Sequence, residues 1–294
     1  MRILLTGADG FTGKHFSQEA MAAGHEVLPF SGDITDFTGV NEAVHVSAPT
    51  HVLHLAGISA VHHRDENAFY TVNLFGTLNL LKALTLLPRR PFSVVLASSA
   101  TVYGNVTHSP ISESEPAQPV NHYAMSKLAM EMMAKTYADR LPVVISRPFN
   151  YIGVGQEDHF VIPKIVRHFA QHTDTIELGN IDVEREFNDV RTVVDAYIAL
   201  LNKGVPGEVY NLCSGRPVSL TRVIQILEAI AGYKIKVTKN STLVRSNEIS
   251  RLCGNPAKLE SCIGPLGFGA LEDTLRWIYE SDRQSCGCCW MLMP

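Results

Sequence analysis

The chain has 294 residues, with 25 Lys and Arg against 29 Asp and Glu, for a formal net charge of −4. That length suits one large α/β domain, or a large domain with a smaller partner, and the slight acidity excludes a global basic field for nucleic acid or an anionic membrane surface. No run approaches the roughly 18 apolar residues of a membrane span, and no long apolar leader precedes the first strand, so the cytosol is the expected compartment.

In chain order, Arg2–Thr6 reads as a short apolar strand and Thr12–Ala23 as a helix closed by Gly24. Glu26–Phe30 is a second strand, Phe37–Val46 a weak helix and His51–Leu55 a third strand. Ala68–Leu87 is a long helix, Phe92–Ser98 a strand, His122–Arg140 a helix and Pro142–Ser146 a strand. Apolar runs of about five residues separated by helices imply a parallel sheet buried on both faces. The regularity weakens after Pro148. Helices are expected at Phe160–His172, Thr192–Asn202 and Leu220–Gly232, and strands at Glu208–Leu212 and Ile235–Val237. The expected fold class is α/β, a Rossmann-like doubly wound parallel sheet with a smaller mixed α/β lobe. Residues 1–150 with about 186–213 would form the first part, and 151–185 with about 214–294 the second. Cys213, Cys253 and Cys262 are isolated, and Cys286, Cys288 and Cys289 crowd a tail expected to fray. All six are expected as thiols, and no metal site is expected.

Thr6-Gly7-Ala8-Asp9-Gly10-Phe11-Thr12-Gly13 has the spacing GxxGxxG between a strand and a helix. Gly7, Gly10 and Gly13 permit a tight turn and close approach to a pyrophosphate. The helix start, with Phe11 and Thr12, presents free N–H groups to it. A dinucleotide is expected there. The second strand ends in Ser31 where a ribose-binding acid would stand, so both NADP and NAD are allowed. Asp33, followed by Ile34, is a candidate acceptor for the adenine amino group, or else a helix-entry cap. His54-Leu55-Ala56-Gly57 ends the third strand, and the small residues would let the cofactor lie over the sheet edge. His54 itself reads as a packed core histidine.

Tyr123-Ala124-Met125-Ser126-Lys127 places a phenol and an ammonium one helical turn apart. Acid–base work near neutral pH asks for about 4 kcal/mol of phenolate stabilisation, which a neighbouring Lys⁺ and a positive nicotinamide ring would supply. Ser98-Ser99-Ala100-Thr101-Val102-Tyr103-Gly104 follows a strand at the carboxyl edge of the sheet, where a hydroxyl can hold a substrate oxygen.

Together TGADGFTG, HLAG, VNLFGTLNLL, SSATVYG, YAMSK and RPFN resemble the extended short-chain dehydrogenase/reductases that act on nucleotide sugars, in register from Met1 to about Cys213. The resemblance implies that Tyr123 is the acid/base and that Lys127 lowers its pKa and holds the nicotinamide ribose. It makes Ser99 the residue that orients the sugar oxygen, with Ser98 as fallback, and Thr101 a second substrate-facing hydroxyl. Pro148 joins the cofactor residues. Dehydratases of this family carry an acid in the loop after the serine. Ala100-Thr101 cannot exchange a proton at a sugar carbon, which leaves 4-keto reductase and epimerase.

The stretch from Arg147 to Gln156 resembles RPFNHIGPGQ of GDP-4-keto-6-deoxy-D-mannose reductases, with Tyr151 for His and Val154 for Pro. Tyr151 could thereby alter the sugar pocket. Gly179–Phe187, Tyr210–Gly215 and Arg245–Glu248 resemble further segments of those enzymes. An acidic protein needs placed cations for a GDP-sugar, so Arg185 and Arg245 are diphosphate candidates, and Glu248 a guanine acceptor. Lys164 and Asn150 complete the candidate substrate residues. The expected activity is NAD(P)H-dependent reduction of the C4 keto group of a GDP-4-keto-6-deoxy-hexose. The alternatives are a nucleotide-sugar 4-epimerase with tightly bound NAD and a non-catalytic NAD(P)-sensing protein. Met125, Leu128, Met130, Met132 and Met133 exceed one core-facing stripe. With the resemblance, they imply a homodimer through a four-helix bundle.

Overall fold

The short apolar runs of the first half lie side by side in the computed structural model, which describes residues 1–59, 64–243 and 249–287. β1 (Arg2–Thr6), β2 (Glu26–Phe30), β3 (His51–His54), β4 (Ser93–Ala97), β5 (Val143–Pro148) and β10 (Val209–Leu212) form one six-stranded sheet. Its order is β10-β5-β4-β3-β1-β2, with every pairing parallel. β4 is buried along its whole length, which is why it reads as an unbroken apolar run.

Helices cover both faces. α1 (Phe11–Ala22) and α7 (Val190–Lys203) lie on one, where Phe16, Val193, Val194 and Leu200 pack against Ile3, Leu5 and Leu53. On the other, Val40, Leu80, Leu84 and Met130 pack on Leu4, Val52, Val94 and Leu96. They belong to α2 (Phe37–Ser47), α4 (Thr77–Thr85) and α5 (His122–Lys135). Each such side chain contributes about 1.5–3 kcal/mol by leaving water.

The long helix expected at Ala68–Leu87 is composite. α3 (Glu66–Phe69) runs into a π-helical stretch, Tyr70–Gly76, before α4. The wide turn directs Asn73 inward, and Gly76 lets Ile34 approach: a Cβ there would stand 2.7 Å from Ile34 Cγ2.

Beyond β5 the chain builds short sheets. β6 (Tyr151–Ile152) pairs with β9 (Asn188–Asp189), and β7 (Thr175–Leu178) with β12 (Lys236–Lys239). β8 (Glu184–Arg185) lies between β11 (Val218–Ser219) and β13 (Arg251–Leu252). α6 (Val161–Ala170) and α8 (Leu220–Ala231) enclose a separate apolar core with Ile165, Phe169, Val223 and Leu227. Two helices were absent from the sequence reading. α9 (Ala257–Ile263) returns to pack on α7 and β10, and α10 (Leu271–Gly287) packs on α6 and α8. Leu275, Ile278 and Tyr279 give α10 its buried stripe. Cys288 and Cys289 lie outside the described residues.

Candidate active site

β1 has β2 on one side and β3 on the other, so the chain reverses direction there and opens a crevice at the carboxyl ends. The glycine-rich turn sits in it. Gly7 has φ +72°, and a Cβ on it would lie 2.7 Å from Ala56 N. A Cβ on Gly13 would collide with Gly7 O. α1 begins at Gly10 with no side-chain cap and no acid in its first turn, whereas α2, α5, α7 and α8 are capped by Asp36, Asn121, Asp189 and Ser219. An uncapped N-terminus reached by side-chain-free backbone fits the pyrophosphate of a dinucleotide.

Ser31, Gly32 and Asp33 line a groove of about 500 Å³ beside β2. Asp33 accepts hydrogen bonds from Thr35 N and Thr35 Oγ1, each 2.8 Å, and these hold its carboxyl below the usual range. It therefore shapes the turn before α2, while Asp36 is the helix cap. Ile34 turns its side chain into the core, and Asn79 Nδ2 donates to the carbonyls of Ile34 and Thr35. At the other side of the crevice come Leu55, Ala56 and Gly57. A Cβ on Gly57 would lie 2.8 Å from Asn73 Oδ1 and 3.2 Å from Lys127 Nζ.

Tyr123 and Lys127 occupy successive turns of α5, which starts where Asn121 Oδ1 accepts from Ala124 N at 2.9 Å. Lys127 Nζ donates to Ala97 O at 2.8 Å, tying the helix to the end of β4. The Ser99 hydroxyl lies close enough to the Tyr123 phenol to act on its acidity, and its Oγ stands 2.9 Å from Thr101 Oγ1. Ser98 Oγ points elsewhere and donates to Glu131 Oε1 at 2.5 Å. The expected lowering of the phenol by Lys127 is not found in the protein itself. Burial pushes Tyr123 up to about 12, with the Ser99 hydroxyl opposing and Tyr151 adding to the rise. Burial draws Lys127 down to about 8, with Glu131 opposing. A phenol that keeps its proton is a donor at neutral pH, the state that reduction of a ketone requires.

Sequence reasoning missed the supports of these groups. Asn73 is fully buried. It accepts from Ile58 N at 2.9 Å and donates to Ile58 O at 3.2 Å and Ser126 Oγ at 3.0 Å. An Asn within the apolar run VNLFGTLNLL, which holds Asn73 and Asn79, was the available signal. Glu131, on the turn after Lys127, binds Arg147 through Nε at 2.9 Å and Nη2 at 2.6 Å. Tyr151 stands near Tyr123, at the edge of the glycine-rich turn. Its hydroxyl lies 2.8 Å from Thr12 Oγ1 and its ring stacks on Phe11, so it braces the glycine-rich turn.

The candidate substrate residues are less gathered. Asn150 is exposed just past β5, and its carbonyl accepts from Asn188 N at 3.0 Å. Lys164 Nζ donates to Glu177 O at 2.8 Å. Arg185 donates to the carbonyls of Glu184 and Ile249, which fastens β8 to the residues just before β13. Arg245 and Glu248 lie outside the described residues. Among the described residues no group of His, Cys, Asp and Glu is placed to hold a metal, and no helix is long and apolar enough to cross a membrane.

Known proteins are similar to this chain in sequence and fold. The chain is 36% identical over 302 residues to GDP-6-deoxy-D-mannose reductase of Pseudomonas aeruginosa, covering 97% of each chain. It is 34% identical over 270 residues to GDP-6-deoxy-D-talose 4-dehydrogenase of Aggregatibacter actinomycetemcomitans, covering 90% of this chain and 92% of that one. The solved structure of RMD from Pseudomonas aeruginosa complexed with NADPH superposes with a TM-score of 0.89 at 33% identity, covering 96% of this chain and 98% of that one. Residues 3–213, which carry the glycine-rich turn, the serine and the Tyr123/Lys127 pair, match the model of one family. The chain therefore belongs to the NAD dependent epimerase/dehydratase family.

Proposed function

We propose that this protein reduces the C4 keto group of a GDP-4-keto-6-deoxy-hexose with NADPH or NADH. The observation that carries the reading is the meeting of Ser99, Tyr123 and Lys127 beside Gly57, at the crevice holding the uncapped α1. The relatives named for GDP-6-deoxy sugars support the substrate class, and the NADPH-bound neighbour supports the cofactor. Bound along the crevice, the dinucleotide would supply the hydride. Ser99 orients the keto oxygen, and Tyr123 Oη gives it the proton as negative charge develops. Lys127 holds a positive charge beside both. Arg185, Arg245, Glu248, Lys164, Asn150 and Thr101 complete the proposed sugar-nucleotide side. The cofactor part is residues 1–150 with about 186–213, and the sugar-nucleotide part 151–185 with about 214–294. The free thiols Cys213, Cys253 and Cys262 suit the cytosol.

The test is incubation with GDP-4-keto-6-deoxymannose and NADPH or NADH. Absorbance at 340 nm should fall, and NMR assigns the C4 configuration of the product. Inversion without net cofactor consumption would make the protein an epimerase, and no change at all would favour a sensor.

Two predictions concern the cofactor and pH. Ser31 neither repels nor clamps a 2′-phosphate, so Ser31→Asp should cut NADPH use far more than NADH use through like-charge repulsion. An unchanged ratio of the two kcat/KM values would put the adenosine ribose elsewhere. Lys127 loses its charge as pH rises through about 8, while Tyr123 at about 12 stays a phenol. Turnover should therefore fall along a one-proton limb near pH 8. A pH–rate profile flat to pH 10 would show that the ammonium charge is not needed.

The same proposal includes a homodimer. Met130 is in the core, and Leu128 and Met133 pack against core clusters, so the free apolar face is narrower than expected. It still holds Met125 (44% exposed), Met132 (47%) and, on the adjoining π-helical stretch, Phe75 (54%). Two copies pairing the continuous helical run from α3 to α4 and α5 would bury it in a four-helix bundle. Sedimentation at micromolar concentration should give a dimer; a fully active 32.3 kDa monomer would end the idea.

A further inference from the structure

His54 joins the two walls of the crevice through one directed chain of hydrogen bonds. Ala56 N donates to Thr6 Oγ1 at 3.1 Å, and Thr6 Oγ1 lies 2.7 Å from His54 Nδ1. His54 Nε2 lies 2.8 Å from Thr77 Oγ1, which donates to Asn73 O at 2.7 Å. The Thr77 hydroxyl has one proton and gives it to Asn73, so toward His54 it can only accept. Nε2 therefore carries the ring proton, Nδ1 accepts from Thr6, and every polar atom of the chain is satisfied in one direction. From Asn73 the chain continues, since Nδ2 donates to Ser126 Oγ at 3.0 Å and Ser126 Oγ donates to Tyr123 O at 2.8 Å. Thr6, His54, Asn73, Thr77 and Ser126 are all buried. Burial and the nearby Lys127 charge lower the histidine to about 3, so it stays neutral at working pH.

We infer that His54 is a positioning residue: a neutral, single-tautomer bridge that holds the cofactor loop Leu55–Gly57 at a set distance from Asn73 and Lys127. The clearance it fixes is small, because Gly57 threads between Asn73 Oδ1 and Lys127 Nζ with no room for a Cβ. This inference rests on the reading that this loop lies against the bound dinucleotide.

His54→Phe removes two hydrogen bonds and the imidazole itself from a buried site and can cost the fold, so the deciding variants are Thr6→Val and Thr77→Val, each isosteric and each breaking the chain at one hydroxyl, with the two hydrogen bonds it makes. The probe is NADPH, titrated by fluorescence into the full chain without a sugar. Each variant should weaken NADPH binding about tenfold, with KM for the GDP-sugar within twofold. Thr77→Ser should restore binding. The double variant should bind no worse than either single one, because one chain can be cut only once. Folded variants with a lower Tm and unchanged NADPH affinity would overturn the inference, as would two losses that simply add. A parent chain that binds neither NADPH nor NADH would overturn this inference and the proposed function together.

Discussion

Tyr123→Phe should bind NADPH and the GDP-sugar as the parent chain does and lose turnover by about 10²- to 10⁴-fold. The substitution removes one oxygen. The ring remains to pack against Phe69, at 6.1 Å between centroids, and Lys127 keeps its bond to Ala97 O. Ser99 keeps its hydroxyl for the keto oxygen but has no proton of comparable acidity to give. What disappears is the donor for a forming alkoxide, an interaction made only in the transition state, so kcat falls while KM hardly moves. The burial that pushes Tyr123 to about 12 keeps the donor protonated before reduction. Steady-state absorbance at 340 nm with direct NADPH titration separates the two terms. Turnover within threefold of the parent would remove Tyr123 from this role.

Glu131→Leu should lower stability by about 3–5 kcal/mol, and Tm by an amount on the order of 10 °C. Glu131 is fully buried and Arg147 nearly so. The carboxylate takes two bonds from the guanidinium and one from Ser98, and the guanidinium rests 4.8 Å over the Tyr103 ring. Removing the carboxylate strands a positive charge that cannot shed its proton, because a guanidinium stays protonated even when buried; in the parent chain burial opposes that charge and Glu131 outweighs the burial. Glu131→Leu/Arg147→Met removes both charges and should regain at least half of the loss, since an apolar pair can replace a buried ion pair. Calorimetry decides. A single variant as stable as the parent would show that the pair contributes nothing to the fold.

The two predictions differ in how far each could be read from the sequence. Tyr123 and Lys127 are four residues apart on one helix, and their order after the glycine-rich turn and SSATVYG marks them without any structure. Glu131 also follows Lys127 by four residues, but its partner Arg147 lies on a strand and Ser98 on a loop. Nothing local says that the three meet. Ser98 and Ser99 are adjacent and chemically alike; only the direction in which β4 ends sends one to Glu131 and the other to Tyr123. Tyr151 shows the converse, since its likeness to a sugar-pocket position was legible while its contact with Thr12 was not.

By itself the sequence determined the strand–helix alternation, the glycine-rich turn and the site on α5, because each is written within a few residues. Apolar runs, glycines and caps act through the chain's own neighbours, over one turn or one strand. Tertiary structure alone decided the π-helical stretch that turns Asn73 inward, the return of α9 to the first core and the state of the ionisable groups. A phenol beside a lysine reads as acidified, yet the phenol is pushed up and the lysine down, because burial removes water from both. Desolvation depends on everything packed around a group. That is a property of the assembled chain, which no short segment encodes.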